Sequence, residues 1–381
     1  MPRIEKSTLK DLEKKFGDTA FRLTQERNDF FLPQVCRYVL EDRWINLRPE
    51  YQRRLVWDQA KRSLFIESLH INVPIPPVFL YECDLSRYEV MDGQQRLSCV
   101  VDFLQNEFAL KGLSKWEELN GLRYRDLPEM LRRGLERRRI SATVLLVGSS
   151  EQTLPEQSEV RRLVFERLNT GGQQLNAQEL RNCFYAGDFN DLLIRLSRNK
   201  LFTDIWEIPP YDDNVDKHGN ISSRLRNNQR YKRMQDCEIV LRFFAFRKRS
   251  KIRGAVRTML DRCMEDHLSI AQGDLLCQET DFNSRLKFAF DLFGKAVFRY
   301  KDKKGHWQLS IPLYDGLMIA LDRLWEQRDQ LILAKKKVVS AVGRVLEDDA
   351  KFEVIVGKPN TAKAVLNRME LLEGALRSAI Q

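Results

Sequence analysis

The sequence predicts an α+β fold, with a small mixed sheet and its helices in the first half and a mostly helical remainder. Three observations predict it. Extended apolar or β-branched runs at Val78–Tyr81, Tyr88–Met91 and Ile140–Val147 all fall in the first half of the chain. Helical periodicity recurs between them, as in Leu97, Val100, Val101 and Leu104 at i, i+3, i+4 and i+7. From about residue 187 onward strand signals almost vanish, while 190–197, 236–246, 254–267, 282–298, 313–325, 334–346 and 362–380 carry helical patterns. The expected division is a mixed domain over 1–186 and a helical domain over 187–381.

Taken in order, residues 7–40 read as two amphipathic helices, the second around Leu32–Leu40. Trp44–Leu47 alternates like a short strand, Arg48-Pro49 breaks it, and Tyr51–Trp57 is aromatic and basic without helical period. Ala60–His70 reads as a helix with Leu64, Phe65 and Leu69 on one side. Pro74, Pro76 and Pro77 lack the amide donor and push the residues before them out of the helical region, so 73–77 leaves the helix. Val78–Tyr81 is then a buried strand, joined through a hairpin connection at 84–87 to Tyr88–Met91. Leu113–Asn120 and Pro128–Leu135 read as short helices and Arg139–Val147 as a buried strand. Glu156–Leu168 carries a helical stripe that stops at Gly171-Gly172, and helix resumes over Ala177–Tyr185. The polar stretch Tyr211–Arg226 reads as a long loop.

Composition narrows the function classes. At 381 residues and 43% hydrophobic, the chain has enough apolar side chains for two or three domains. No run approaches the ~20 apolar residues of a membrane span. Met1–Gly17 is charged and has no apolar core, so no secretory signal and a cytoplasmic setting are expected. Seven scattered cysteines without a CxxC pair point to reduced thiols. His70, His218, His267 and His306 show no metal-ligand spacing with one another or with cysteine, which argues against a zinc site. The net charge of +10 favours polyanion partners such as DNA. Much of it is clustered, at 132–139, 224–233, 247–253 and 335–337.

The chemistry-bearing stretch is Tyr88–Leu97, a strand, a turn at Asp92-Gly93 and a helix that opens with Gln94, Gln95 and Arg96. Free N–H groups at a helix N-terminus together with a guanidinium make an anion site. A carboxylate beside them, Asp92, is placed to hold a metal or orient a water. The plainer alternative is that Asp92-Gly93 caps a helix. Neither the Walker A pattern nor the dinucleotide fingerprint is present.

The residues Tyr51-Gln52-Arg53, Trp57, Ile75-Pro76-Pro77, Val90–Leu97 with its Asp-Gly-Gln-Gln-Arg motif, and Phe165–Gly172 with Leu175 follow one another in an order that resembles a known family. It is the ParB/sulfiredoxin-like domain at the N-terminus of GmrSD-type modification-dependent restriction enzymes. The resemblance covers roughly residues 25–245. It implies a nucleotide-binding domain whose motif is tied to nucleoside triphosphate hydrolysis (GTP, UTP, CTP or ATP) with Mg²⁺, in bacterial anti-phage defence. Carried onto this chain, it gives Asp92 the water or the Mg²⁺ and lays Gly93, Gln94 and Gln95 against the phosphates. Arg96 pairs with phosphate, and Gln52, Arg53, Arg167 and Asn169 are further contacts. Two-domain members carry an HNH-type nuclease after the helical part. No such motif is seen here, so a separate nuclease or defence subunit is the expected partner, beside nucleotide, DNA and a second copy of the chain. The other readings are a DNA-binding module without catalysis and a Mg²⁺-dependent nickase or nuclease.

Overall fold

Val78–Asp84 is the middle strand of a five-stranded mixed sheet, and its residues explain the placement: Val78 and Leu80 are 1% and 0% exposed. The computed structural model describes residues 23–47, 57–147, 164, 167, 176–185, 187–215, 221–357 and 361–381. They divide into two compact units, Met1–Leu175 and Asn176–Gln381.

In the first unit the strands are β1 (Leu23–Phe31), β2 (Ile45–Asn46), β3 (Val78–Asp84), β4 (Arg87–Asp92) and β5 (Arg139–Val147), in the order β1-β5-β3-β4-β2. β5 runs antiparallel to β1 and parallel to β3, β3 and β4 form an antiparallel hairpin, and β2 pairs parallel with β4. The helices are α1 (Leu32–Leu40), α2 (Gln59–His70), α3 (Gln94–Leu104) and α4 (Glu129–Glu136). Leu32, Val35, Ile66, Leu97, Val100 and Phe103 from these helices meet Val78, Leu80, Val90, Ile140 and Val144 of the sheet in one apolar core. Each such side chain contributes roughly 1.5–3 kcal/mol by leaving water.

The helical reading of 7–40 holds for α1 and fails for β1, while its first part lies outside the described residues. Residues 25–29 are exposed, and all nine residues of β1 pair with β5. The strand is held by ladder bonds to a partner more than a hundred residues away, so its own side chains carry no period. Glu26, Arg27 and Asp29 keep the exposed edge charged, which discourages pairing with another chain.

The helix expected at Leu113–Asn120 is reduced to a single 3-10 turn at Glu117–Leu119. The cause is the buried Glu67 of α2, whose Oε1 accepts the N–H groups of Lys115 at 3.1 Å and Trp116 at 2.9 Å. Of the stretch expected to be helical at 156–168, Val164 and Arg167 are described, both helical, and the rest lies outside the described residues.

The second unit is helical. It opens with α5 (Ala177–Phe184), α6 (Asp188–Ser197) and α7 (Lys200–Trp206). The stretch expected as a long loop holds two short helices, α8 (Tyr211–Asn214) and α9 (Ser223–Asn227), and α10 (Gln229–Lys232) follows. Then come α11 (Gln235–Arg247), α12 (Val256–Asp266), α13 (Gln272–Phe293), α14 (Ile311–Arg323), α15 (Arg328–Leu333), α16 (Lys335–Glu347), α17 (Asp349–Val356) and α18 (Ala362–Ile380). α11 and α14 are buried on nearly all sides, and a bidentate pair inside the core joins them. Arg242 donates from Nε to Asp315 Oδ1 at 2.8 Å and from Nη2 to Oδ2 at 2.5 Å.

One pair of strands was not legible in this half. α13 stops at Phe293 because Gly294 takes a φ of +56°, and Arg299–Lys301 (β6) then pairs antiparallel with Trp307–Leu309 (β7). Three-residue strands are too short to show a period of two. Among the described residues no helix is long and apolar enough to cross a membrane.

Candidate functional site

The motif sits where β4 ends and α3 begins. Its turn depends on Gly93, which has φ +94° and ψ 8° and occupies the N-cap position of α3. A Cβ at Gly93 would lie 2.4 Å from Val78 Cγ1 and 2.9 Å from Val78 Cβ, so backbone conformation and close packing both demand glycine. Asp92 does not cap the helix: no side chain caps α3. The first intrahelical bond runs from Leu97 N–H to Gly93 C=O at 3.0 Å, so the N–H groups of Gln94, Gln95 and Arg96 have no acceptor within α3. Donors so placed lie at the positive end of the helix dipole, where an anion is favoured.

The long side chains of the motif are engaged with the surrounding chain. Arg96 donates from Nη1 to the carbonyls of Pro76 and Pro77, the latter at 3.4 Å, and from Nη2 to Asp92 Oδ2 at 2.7 Å. Its side chain is 13% exposed, against 46% for Asp92. Burial pulls the Arg96 guanidinium below the ordinary arginine value, and the Asp92 carboxylate opposes that pull. Gln94 donates to the carbonyl of Leu47 at 2.8 Å, and Gln95 accepts the N–H of Trp57 at 2.9 Å. Consecutive glutamines therefore grip both flanks of the 48–56 stretch. Gln52 and Arg53, which belong to that stretch, lie outside the described residues, as does Asn169. Arg167 is helical and exposed.

The motif thus brings together Asp92, Gly93, Gln94, Gln95 and Arg96. The sequence reading missed the acceptors of the long side chains. The prolines of 73–77 read as helix breakers, with Ile75-Pro76-Pro77 part of the family resemblance, and the structure adds that the carbonyls of Pro76 and Pro77 receive Arg96. No local signal marks a carbonyl as an acceptor.

Asp92 Oδ1 has no partner among the described residues, and no group of three or more His, Cys, Asp or Glu side chains that could hold a metal ion occurs among them. Mg²⁺ in phosphoryl-transfer sites commonly takes one or two carboxylates from the protein and its other oxygens from phosphate and water, and Asp92 is the one carboxylate of the Asp92–Arg96 turn. A cavity of about 750 Å³ is lined by Trp44, Asn46, Leu47, Tyr88, Ser98 and Asp102, among others, and by none of Asp92–Arg96. Ser98 follows Gln94 by four residues, so the cavity begins one helical turn beyond the motif.

Some members of each basic cluster are engaged within the protein. Arg138 donates to the carbonyl of His70 at 2.7 Å, Arg226 to that of Ile221 at 3.0 Å and Lys335 to that of Asp291 at 2.6 Å. Arg247 bridges Asp281 and Asp322 at 2.7 and 2.9 Å, Arg249 pairs with Glu370, and Lys251 pairs with Asp266 at 3.1 Å. Each pairing lowers the weight of its cluster as a polyanion surface.

No curated protein and no solved structure matches the chain. A family model does match, that of the GmrSD restriction endonuclease N-terminal domain, over residues 37–186. The matched stretch contains the whole motif and runs past the Leu175/Asn176 division. Over residues 37–186 the chain is similar to the N-terminal domain of the GmrSD restriction endonucleases, which supports a restriction-enzyme type of N-terminal domain here.

Proposed function

We propose that this protein binds and hydrolyses a nucleoside triphosphate at the β4–α3 turn, as the nucleotide-dependent component of a restriction-type anti-phage system. One observation carries the reading: with Gly93 held in a left-handed conformation against Val78, three N–H groups of α3 have no acceptor among the described residues and lie beside a half-exposed carboxylate. The family match gives the biological setting. In this reading the phosphates lie on the N–H groups of Gln94, Gln95 and Arg96.

Hydrolysis forms a bond from water oxygen to the terminal phosphorus and breaks the bond to the bridging oxygen, giving a diphosphate and inorganic phosphate. Asp92 orients that water through Oδ1, while Arg96 fixes Asp92 through Oδ2. Mg²⁺, when bound, supplies charge neutralisation on the phosphates. Gln94 and Gln95 act as positioning residues, because they hold the chain on both sides of the turn. Cutting of DNA is assigned to a separate nuclease partner.

The test is release of inorganic phosphate from each of ATP, GTP, CTP and UTP, with Mg²⁺, with and without DNA. Wild type is expected to turn over at least one of them, and Asp92→Ala and Asp92→Asn are expected to lose at least 100-fold, about 2.7 kcal/mol of barrier. Undiminished turnover in both variants refutes the assignment.

A further inference from the structure

β6 and β7 of the helical unit form a hairpin that is anchored at its base and charged at its tip. Phe298, 1% exposed, packs in the core against Tyr314 with ring centroids 4.9 Å apart. Arg299 reaches Glu207 at 2.7 Å and the carbonyl of Ile205 at 3.3 Å, and Tyr300 packs edge-on against Phe352 at 5.2 Å. The five-residue connection is ordered by Asp302, whose Oδ1 accepts the N–H groups of Lys304 and His306, both at 2.9 Å. Those amides hold the Asp302 carboxyl below its ordinary range. Gly305, at φ +83°, completes the turn.

What this framework presents is cationic and aromatic. Lys301, Lys303, Lys304, His306, Trp307 and Gln308 are all exposed. The one carboxylate of the hairpin, Asp302, is engaged within it: beside the two turn amides on Oδ1, its Oδ2 accepts from Gln308 Nε2 at 3.2 Å and lies 3.7 Å from His306 Nδ1. Lys303 and Lys304 have no acidic partner among the described residues. Lys301 pairs in register with Trp307, with its ammonium 5.2 Å from the ring centre, so cation and ring share one face of the ribbon. Trp307 is 51% exposed, which is unusual for so large an apolar ring.

We propose that this hairpin is a DNA-contacting element, with Lys301, Lys303 and Lys304 on phosphates and Trp307 stacked on an unpaired base. A rigid ribbon loses little conformational entropy on binding. A flat aromatic face beside lysines matches the alternation of base and phosphate along a strand. A lipid surface fits less well, because Trp307 is the one large exposed apolar side chain of the hairpin. The proposal rests on the restriction reading for the kind of partner, and it stands apart from chemistry at Asp92.

The experiment is fluorescence anisotropy of the full chain with a labelled single-stranded oligonucleotide, titrated over KCl concentration. Lys303→Gln/Lys304→Gln should make the slope of log affinity against log salt shallower by roughly 1.4, at about 0.7 for each single-strand phosphate no longer neutralised. Trp307→Ala should weaken binding about 5- to 100-fold with the slope unchanged, and Trp307→Phe should restore most of it. Circular dichroism checks that each variant is folded. Unchanged affinity and slope in both the lysine and the tryptophan variants overturn the proposal. So does a loss confined to vesicles of phosphatidylserine and phosphatidylcholine. Failure of phosphate release tests the motif, and failure of DNA binding tests this hairpin, so the two are told apart.

Discussion

Replacing Gly93 by alanine tests the physical basis of the motif directly. The new methyl group would meet Val78 Cγ1 at 2.4 Å, where something must shift. Holding a non-glycine residue at φ +94° costs about 1–2 kcal/mol. Forcing a methyl group into a packed site costs about 1–3 kcal/mol more. The sum, about 3 kcal/mol, shifts the folding equilibrium on the order of a hundredfold. Urea denaturation of the full chain measures it, with hydrogen exchange of the 94–104 amides locating the change. Val78→Ala in the same chain removes the nearer contact, with Cγ1, and leaves the contact with Cβ at 2.9 Å and the conformational cost, so the double variant should be more stable than the two single costs added together predict. Gly93→Ala that is neutral, or a cost unaffected by Val78→Ala, would refute the close-packing argument. Phosphate release should fall with stability, because the strain moves the same N–H groups that receive the phosphates.

Three further outcomes are expected. Gln94→Ala and Gln95→Ala should each cost about 1 kcal/mol, one hydrogen bond to Leu47 or Trp57, with faster amide exchange at those flanks. Arg242→Met should destabilise by about 3–5 kcal/mol because it strands the buried Asp315, while Arg242→Met/Asp315→Leu should cost far less; both are read by thermal melts. His70 gives a pH signature: burial, and then Arg138, lowers its imidazole from 6.5 to about 4. The unfolded chain binds the proton first, so this contribution is complete above about pH 6.5 and is lost as pH falls toward 4. At most about 3 kcal/mol is at stake, and about 2 once solvent screening is allowed for. Urea midpoints at pH 7 and 4.5 should differ less in His70→Phe than in wild type, and equal differences would contradict the reading.

Elements with a local signal were legible from the residues alone. Arg139–Val147 is a strand over the residues its β-branched run predicts, and α3 carries the i, i+3, i+4, i+7 stripe that packs on the sheet. The motif's place between strand and helix was legible for the same reason. Three features came from the folded arrangement. β1 is a strand because β5 offers it a ladder, and its exposed charged residues keep no period of their own. The motif's arginine and glutamines face the carbonyls of Pro76, Pro77 and Leu47 and the amide of Trp57, acceptors and a donor up to 47 residues away that no spacing rule marks. Arg247, Arg249 and Lys251 of one basic cluster pair with carboxylates from other helices, while the small, weakly patterned hairpin holds lysines without an acidic partner among the described residues. Period and propensity act over a turn or two of chain, whereas the pairing of a strand edge, a charge or a carbonyl depends on what folding brings beside it.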